Sequence, residues 1–547
     1  MHITETYPPP RVLLPLPAEI AYKKDNIMKV LLINPPYPFE ESPTPPFGLM
    51  SLAAYLLREG VEVIIEDYII QPYSRDRVKK VLADFKPDVV GATAVTMNVK
   101  KALSILKEYK EVTPGIVTVM GGPHVTFDAE NILKTGFIDC VVRGEGEITF
   151  TELLTALNAK KGPAGIPGIS YREGNAVLQN EDRPLIPDIN VLPLPARHLV
   201  ALGKYRAMGF SINMVTSRGC PHNCIFCVGR RMVGSKVRYF DVNRVVDEFE
   251  MLSKMSFHQI NVVDDLFTAN KARCMAICDE MIRRGISHIW GAFARVDTVS
   301  EDLLKKLKEA NCTTLCFGIE SGNQEILDRV KKKTTLEKCR RAAEMCKEVG
   351  IDPMTSYILG LPGETAETVS KTLEFAAQLS ANYGFHILAP FPGTEVREKA
   401  ADYGMRVLSD DWDLYDANQS VCHAGGISPE EIDRIVNEFN SSIHRYVADI
   451  APRKAKGETL TDRDEEILRS IETFVFNRKI ILEELVEAYP GVTNGASRDE
   501  VMKNFTEYLN AKTGSTKEFI GGELGRLVRL GCLDVQSVPT GSTVRWS

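Results

Sequence analysis

Two series of short β-branched runs, each run followed by a helix-periodic segment, constrain this chain more than any other feature. The first series occupies 28–156, where Lys29–Asn34, Val61–Asp67, Asp88–Thr93, Ile116–Gly121 and Asp139–Arg143 read as strands separated by amphipathic segments such as Leu49–Arg58. Strands that alternate with helices pair in parallel, because each helix carries the chain back across the sheet before the next strand begins. An α/β, Rossmann-like doubly wound sheet is expected over 28–160, and such sheets bind ligands outside the carboxyl ends of their strands. Glycine and proline collect at those ends, in Asn34-Pro35-Pro36-Tyr37, Gly121-Gly122-Pro123-His124 and Gly144-Glu145-Gly146-Glu147. The first unit reads as a ligand binder.

The second series has strand candidates at Ile212–Thr216, Gln259–Val263, Ile289–Ala294, Thr314–Ile319, Met354–Leu359 and Phe385–Ala389. Six βα units predict a (β/α)6 partial TIM barrel over 206–410, with its chemistry at the strand carboxyl ends. Between the two series, 161–205 is rich in proline and glycine and reads as a linker with a small hairpin at Gly174-Asn175. From 411 to 547 helical patterns dominate, at Pro429–Tyr446, Asp462–Phe476, Lys479–Tyr489 and Asp499–Asn510. A last helix at Phe519–Leu530 and a hairpin around Thr540-Gly541 would give a winged-helix-like end. This mostly helical unit is expected to dock a substrate or partner.

Charge and hydropathy exclude several classes of function. The net charge is −7, and Thr459–Ser547 holds 11 Lys and Arg against 14 Asp and Glu, so no basic field invites nucleic acid. No run of about 18 apolar residues is present to span a bilayer. The N-terminal extension, 1–27, is polar and proline-rich and lacks the apolar stretch of a secretory signal, so a cytoplasmic protein is expected. In that compartment the 12 cysteines read as thiols and metal ligands rather than disulfides.

Three of them stand apart. Cys220-Pro-His-Asn-Cys224-Ile-Phe226-Cys227 follows the first barrel strand through Ser217-Arg-Gly219. Three thiolates on a short loop hold three irons of a cubane and leave the fourth open, whereas electron-transfer clusters use four cysteines. A structural zinc site would need a fourth Cys or His in closed geometry, and His222 inside the loop is badly placed to supply it. The other cysteines offer no tight group for an auxiliary cluster.

The triplet, its position and the strand-end segments around it resemble the radical S-adenosylmethionine superfamily. The matching segments are Val263-Asp264-Asp265-Leu-Phe-Thr268, Gly318-Ile-Glu320-Ser321-Gly322, Gly360-Leu-Pro362-Gly-Glu364 and Pro390-Phe-Pro-Gly-Thr394. The resemblance implies a 4Fe-4S cluster on Cys220, Cys224 and Cys227, with S-adenosylmethionine held by Phe226, Asp264, Asp265, Arg295, Glu320, Ser321, Gly360 and Pro362. Plainer readings stand beside it: Asp264 and Asp265 as caps of the next helix, Glu320 as a carboxylate paired with Arg295, Gly360 and Gly363 as turn glycines.

The first unit resembles the cobalamin-binding domain that precedes the barrel in one large subfamily of these enzymes. The implied cobalamin contacts are Pro35, Pro36, Gly48, Leu49, Thr93, Val95, Thr96, Met97, Gly121, Gly122, His124, Glu145, Gly146 and Glu147. No Asp-x-His-x-x-Gly segment is present, so no histidine is expected to reach cobalt from below. His124 should sit by the tail or the corrin rim, and the loop Thr93–Asn98 should face the lower side. The alternative is a degenerate Rossmann-like module; the missing Gly-x-Gly-x-x-Gly disfavours a dinucleotide.

Together the two resemblances imply a cobalamin-dependent radical methyltransferase that methylates an unactivated carbon through a 5′-deoxyadenosyl radical and methylcobalamin. An external electron donor such as ferredoxin or flavodoxin is implied, and no catalytic acid or base. The acidic helical tail points to a protein or peptide substrate, such as methyl-coenzyme M reductase. The alternatives are small-molecule or lipid C-methylation, oxidative cyclisation of a tetrapyrrole, and a cobalamin-binding sensor, which would require a missing thiolate.

Overall fold

The computed structural model describes residues 27–36, 43–379, 382–492, 496–538 and 541–547. The expected extension at 1–27 lies outside them except for Ile27, as do Tyr37 and Thr540. The first unit is β1 (Lys29–Asn34), α1 (Phe47–Arg58), β2 (Glu62–Asp67), α2 (Arg75–Phe85), β3 (Val89–Thr93), α3 (Val99–Val112), β4 (Val117–Gly121), α4 (Pro123–Lys134), β5 (Cys140–Val142) and α5 (Gly146–Asn158). Its strands are near-continuous apolar runs because helices cover both faces; in β1 every residue after Lys29 is buried.

The sheet order is β2-β1-β3-β4-β5, parallel throughout, so the order reverses between β1 and β3. Two more strands, β6 (Ile169–Glu173) and β7 (Ala176–Gln179), then add antiparallel to β5. Residues 161–205 are thus more than a linker. The hairpin pairs the free edge of β5, which would otherwise expose unsatisfied backbone groups.

After α6 (Leu202–Ala207) comes the second sheet. Its elements are β8 (Ile212–Met214), β9 (Ser217–Arg218), α7 (Gly229–Val233), β10 (Arg238–Tyr239), α8 (Val242–Ser253), β11 (Ile260–Val262), α9 (Lys271–Arg283), β12 (Trp290–Ala294), α10 (Glu301–Glu309) and β13 (Cys312–Glu320). Then follow α11 (Gln324–Arg329), α12 (Leu336–Val349), β14 (Asp352–Leu359), α13 (Ala366–Leu379), β15 (Tyr383–Ile387) and α14 (Glu395–Glu398). Six parallel strands in the order β15-β14-β13-β12-β11-β8 form the expected partial barrel, with β8 and β15 as unjoined edges.

Beyond a two-residue pair, β16 (Arg406–Val407) and β17 (Cys422–His423), the chain is helical: α15 (Pro429–Ala455), α16 (Asp462–Leu482), α17 (Arg498–Thr513) and α18 (Lys517–Arg529), closed by the hairpin β18 (Leu533–Val538) and β19 (Gly541–Trp546). α15 lies along the open edge of the barrel, where Phe439 packs edge-on against Phe385 of β15 with ring centroids 4.9 Å apart. The segments expected separately at Asp462–Phe476 and Lys479–Tyr489 are joined, since α16 runs without a break through Lys479.

The winged end is braced against the rest. Glu484 meets Arg77 of α2 at 2.9 Å, Glu487 meets Lys204 of α6 at 2.8 Å, and Gly203 donates to Ser547 O at 3.1 Å. No helix among the described residues is long and apolar enough to cross a membrane.

Candidate active site

The cysteine loop leaves the barrel at β9 and is pinned at its centre. Ile225 is fully buried, donates to Val330 O at 3.2 Å and accepts from Val396 N at 2.9 Å. That anchor leaves Cys220 and Cys224 partly exposed and Cys227 exposed. Gly229 N donates to Cys227 Sγ at 3.3 Å, the type of amide contact that stabilises a thiolate. Phe226 is partly buried against the apolar cluster that contains Ile225 and Leu361.

Two adjacent carboxylates divide the work beneath the loop. Asp264 is buried and fully committed: it accepts from Thr216 N, Thr216 Oγ1 and Ser217 Oγ, each at 2.6 Å. It ties β11 to the segment that carries the cysteines. Burial raises its pKa and these hydrogen bonds oppose the shift. Asp265 instead accepts from Gly219 N at 3.0 Å and lines a cavity on the far side.

At the end of β13 the backbone bulges and Glu320 takes φ +76°. Its carboxylate closes on Lys332 Nζ at 2.7 Å, with both side chains buried. A Cβ on Gly318 would collide with Glu320 Oε1, so the pair needs that glycine. Arg295 is not the partner of Glu320; it grips Asp297 through Nε and Nη2 at 2.9 Å each and donates to Lys332 O at 2.8 Å. Burial pushes the Cys224 thiol up, while Lys332 and Arg295 act in the opposite sense across the short gap to it.

Lys332 escaped the sequence reading because Lys331-Lys332-Lys333 looks like a solvated charge run. Lys331 and Lys333 take left-handed conformations, φ 57° and 54°, which turns only the middle lysine inward. Ser321 is fully buried and bonds Thr372 Oγ1 at 3.2 Å, on the helix side of the strand. In the turn after β14, Gly360 N and Leu361 N donate to Glu364 Oε2 at 2.7 and 3.1 Å, Pro362 is buried, and Glu364 Oε1 has no partner.

A cavity of about 390 Å³ opens at the β1/β3 switch point of the first sheet. Leu32, Val119, Val142 and Phe150 wall it, Gly91, Gly121 and Gly146 leave it open, and Gly48, Leu49, Thr93, Gly122, Glu145 and Glu147 also line it. A flat aromatic tail fits such an apolar slot. Asp265, Arg218 and Met232 of the barrel close its other side, so the slot adjoins the cysteine loop.

Several expected cobalamin contacts have other work. Pro35 and Pro36 lie outside the lining of the slot. Glu145 and Glu147 bind Arg218 at 2.9 and 2.7 Å, and Glu145 also takes Arg238 at 2.9 Å. Burial opposes ionisation of Glu145, but the two arginines hold its pKa below the usual range. Sequence could not pair these residues across 71 positions. His124 is buried between Thr96 Oγ1 at 3.2 Å, Asp128 at 3.4 Å and the Trp412 ring, centroids 5.0 Å apart, rather than at the slot. Met97 is half-buried beside Thr96, while Val95 at the tip of that loop is 37% exposed.

The barrel lumen holds a larger cavity, about 890 Å³, running from Glu320 past Gly318, Ser356 and Gly384 to Phe439, Tyr446 and Arg463 of the helical unit. Nothing in the sequence marked these positions as one site.

Comparison with known proteins places two family profiles on the chain: B12 binding domain over 41–154 and Radical SAM superfamily over 214–376. An uncharacterized methyltransferase of Pyrococcus horikoshii is 36% identical over 431 residues, covering 77% of this chain and 93% of that protein. The anaerobic magnesium-protoporphyrin IX monomethyl ester cyclase of Rubrivivax gelatinosus is 31% identical over 444 residues, 75% of this chain and 77% of the relative. Among solved structures, the radical S-adenosylmethionine methyltransferase TsrM from Kitasatospora setae, with cobalamin and a [4Fe-4S] cluster bound, superposes with a TM-score of 0.63 at 23% identity, over 71% of this chain and 81% of that one.

Proposed function

The chain belongs to the cobalamin-dependent radical S-adenosylmethionine enzymes of the methyltransferase type, which use a 4Fe-4S cluster, S-adenosylmethionine and cobalamin, and from that premise we propose that it methylates an unactivated carbon. One observation carries the reading. Asp265 both holds Gly219, next to Cys220, and lines the slot of the first sheet, so the two cofactor sites share a wall. When bound, the cluster with S-adenosylmethionine supplies a hydrogen-abstracting radical and cobalamin supplies the methyl group.

The residues orient and shield. Cys220, Cys224 and Cys227 would hold the cluster and leave one iron for S-adenosylmethionine, and Arg295 and Lys332 set positive charge beside these thiols. Glu320, Arg295 and Asp265 are the polar groups proposed to meet S-adenosylmethionine, with Asp264 a tether behind them. The slot at Leu32 and Phe150 would hold the cobalamin tail, with the loop Thr93–Asn98 beside it. His124 holds Thr96 through Nδ1, with Asp128 3.4 Å from Nε2. An external one-electron donor of the ferredoxin or flavodoxin class is required.

A second reading, a non-methylating cyclisation on a tetrapyrrole, is favoured by the likeness to the Rubrivivax cyclase. Anaerobic reconstitution with iron, sulfide and cobalamin, followed by product analysis, separates them. S-adenosylhomocysteine together with 5′-deoxyadenosine is expected; deoxyadenosine alone would favour cyclisation. A protein substrate such as methyl-coenzyme M reductase draws support from the acidic tail, whereas the lumen favours a smaller molecule.

A further inference from the structure

Barrels of parallel strands are ordinarily filled by bulky branched side chains in successive layers. Here the registered positions Gly318, Ser356 and Gly384 form a layer without bulk, and a Cβ added to Gly384 would meet nothing within 4 Å. Below that layer the walls turn apolar. Phe293 and Met354 line the cavity yet are 50% and 44% exposed, and α15 adds Ile443 at 47%. Large apolar side chains left open in a cavity mark a place where a ligand covers them.

The first unit meets the carboxyl ends of the strands through Arg218 on Glu145 and Glu147 and through Arg231 stacked over Phe127 at 5.2 Å. Away from those contacts the lumen cavity is bordered by α15 and by the start of α16. Arg463 stands there, exposed and without an ion-pair partner among the described residues; the nearby Tyr446 hydroxyl is taken by Asp464 at 2.6 Å. From the level of Cys316 to Glu320 the strand climbs four residues, roughly 13 Å. An occupant that spans the cavity from Glu320 to Arg463 must be elongated.

We propose that the substrate is an elongated amphiphile, an apolar chain bearing a carboxylate or phosphate, that threads past Gly318, Ser356 and Gly384 and leaves its anionic group at Arg463. The assignment deepens the methyltransferase reading, because it takes the reacting carbon to lie at the Glu320 end.

The test is a binding measurement without S-adenosylmethionine, on the full-length, anaerobically reconstituted enzyme, with dansyl-undecanoic acid as the fluorescent probe. Saturable binding is expected, displaced by tetradecanoate and by tetradecyl phosphate, and at least about fivefold less well by tetradecanol. Arg463→Ala should weaken the acidic ligands about fivefold and leave tetradecanol unchanged. Gly384→Phe, which fills the layer, should weaken all of them at least about tenfold. Val475→Ser, on an exposed stretch of α16, should change nothing.

Displacement by only one of the two anions would name the head group and still support the proposal. Unchanged probe affinity in Arg463→Ala overturns the anionic end, and unchanged affinity in a folded, cluster-loaded Gly384→Phe overturns the channel. Failure of methyl transfer shows instead as absent S-adenosylhomocysteine, which this assay does not touch.

Discussion

Arg218 donates to Glu147 at 2.7 Å across the boundary between the two units, two residues before the first cluster cysteine. With Glu145 bound to the same guanidinium and to Arg238, the contact forms a buried network of two carboxylates and two arginines. Removing one partner of a buried pair strands the others. Arg218→Ala is expected to cost about 3 kcal/mol of stability, and Glu147→Gln less, because Arg218 keeps Glu145. Thermal unfolding of the two variants measures this; equal midpoints for both and the parent would mean that the network contributes nothing.

Glu364 provides a pH dependence of definite sign. Burial raises its pKa from 4.5 to about 7, partly opposed by the amides of Gly360 and Leu361. Between those values the unfolded chain is ionised while the folded chain holds a proton, so the folded state binds more protons and stability falls as pH rises. A shift of this size corresponds to about 3 kcal/mol lost by pH 8 relative to pH 4. Glu364→Gln keeps an acceptor for both amides and does not ionise, so it should be more stable than the parent at pH 8 and similar at pH 5. Chemical denaturation at the two pH values decides it, and a variant less stable at both would refute the assignment.

Asp264 and Asp265 are neighbours with opposite expectations. Asp264→Asn keeps one oxygen for Thr216 N but sets an amide donor where the buried Thr216 Oγ1 and Ser217 Oγ had an acceptor, and should cost about 2 kcal/mol and lower the iron content. Asp265→Asn should stay within about 1 kcal/mol of the parent, since its one recorded backbone contact, Gly219 N, still finds an amide oxygen. Iron assay and unfolding midpoints separate the two.

The slot and the loop should also separate. Gly91→Leu would fill the space toward Leu32 and Phe150 and weaken cobalamin binding by about a hundredfold, read by the visible absorbance of bound corrin, with iron content retained. Cys220→Ala with Cys224→Ala and Cys227→Ala should abolish deoxyadenosine formation and leave cobalamin bound. Loss of cobalamin in that triple variant would show that the two units do not bind their groups independently.

What the amino-acid order alone determined was periodic or local. Strand and helix alternation, 2 against 3.6 residues, is written along the chain, so both sheets and their parallel sense were legible, as was the cysteine triplet, whose spacing is its own signature. The hairpin β6–β7 showed as turn residues but not as part of the first sheet, because sheet membership depends on which edge is free.

Side-chain partners were decided only by the tertiary structure. Glu320 chose Lys332 over Arg295 because a bulge and two left-handed lysines turn the pair toward each other, Glu145 and Glu147 turned to Arg218 on the other unit, and His124 went to Thr96 of a neighbouring loop. The lumen at Gly384 was likewise invisible: a glycine in a strand reads as a weakness until neighbouring strands bring Ser356 and Gly318 to the same level and the shared lack of bulk becomes a channel.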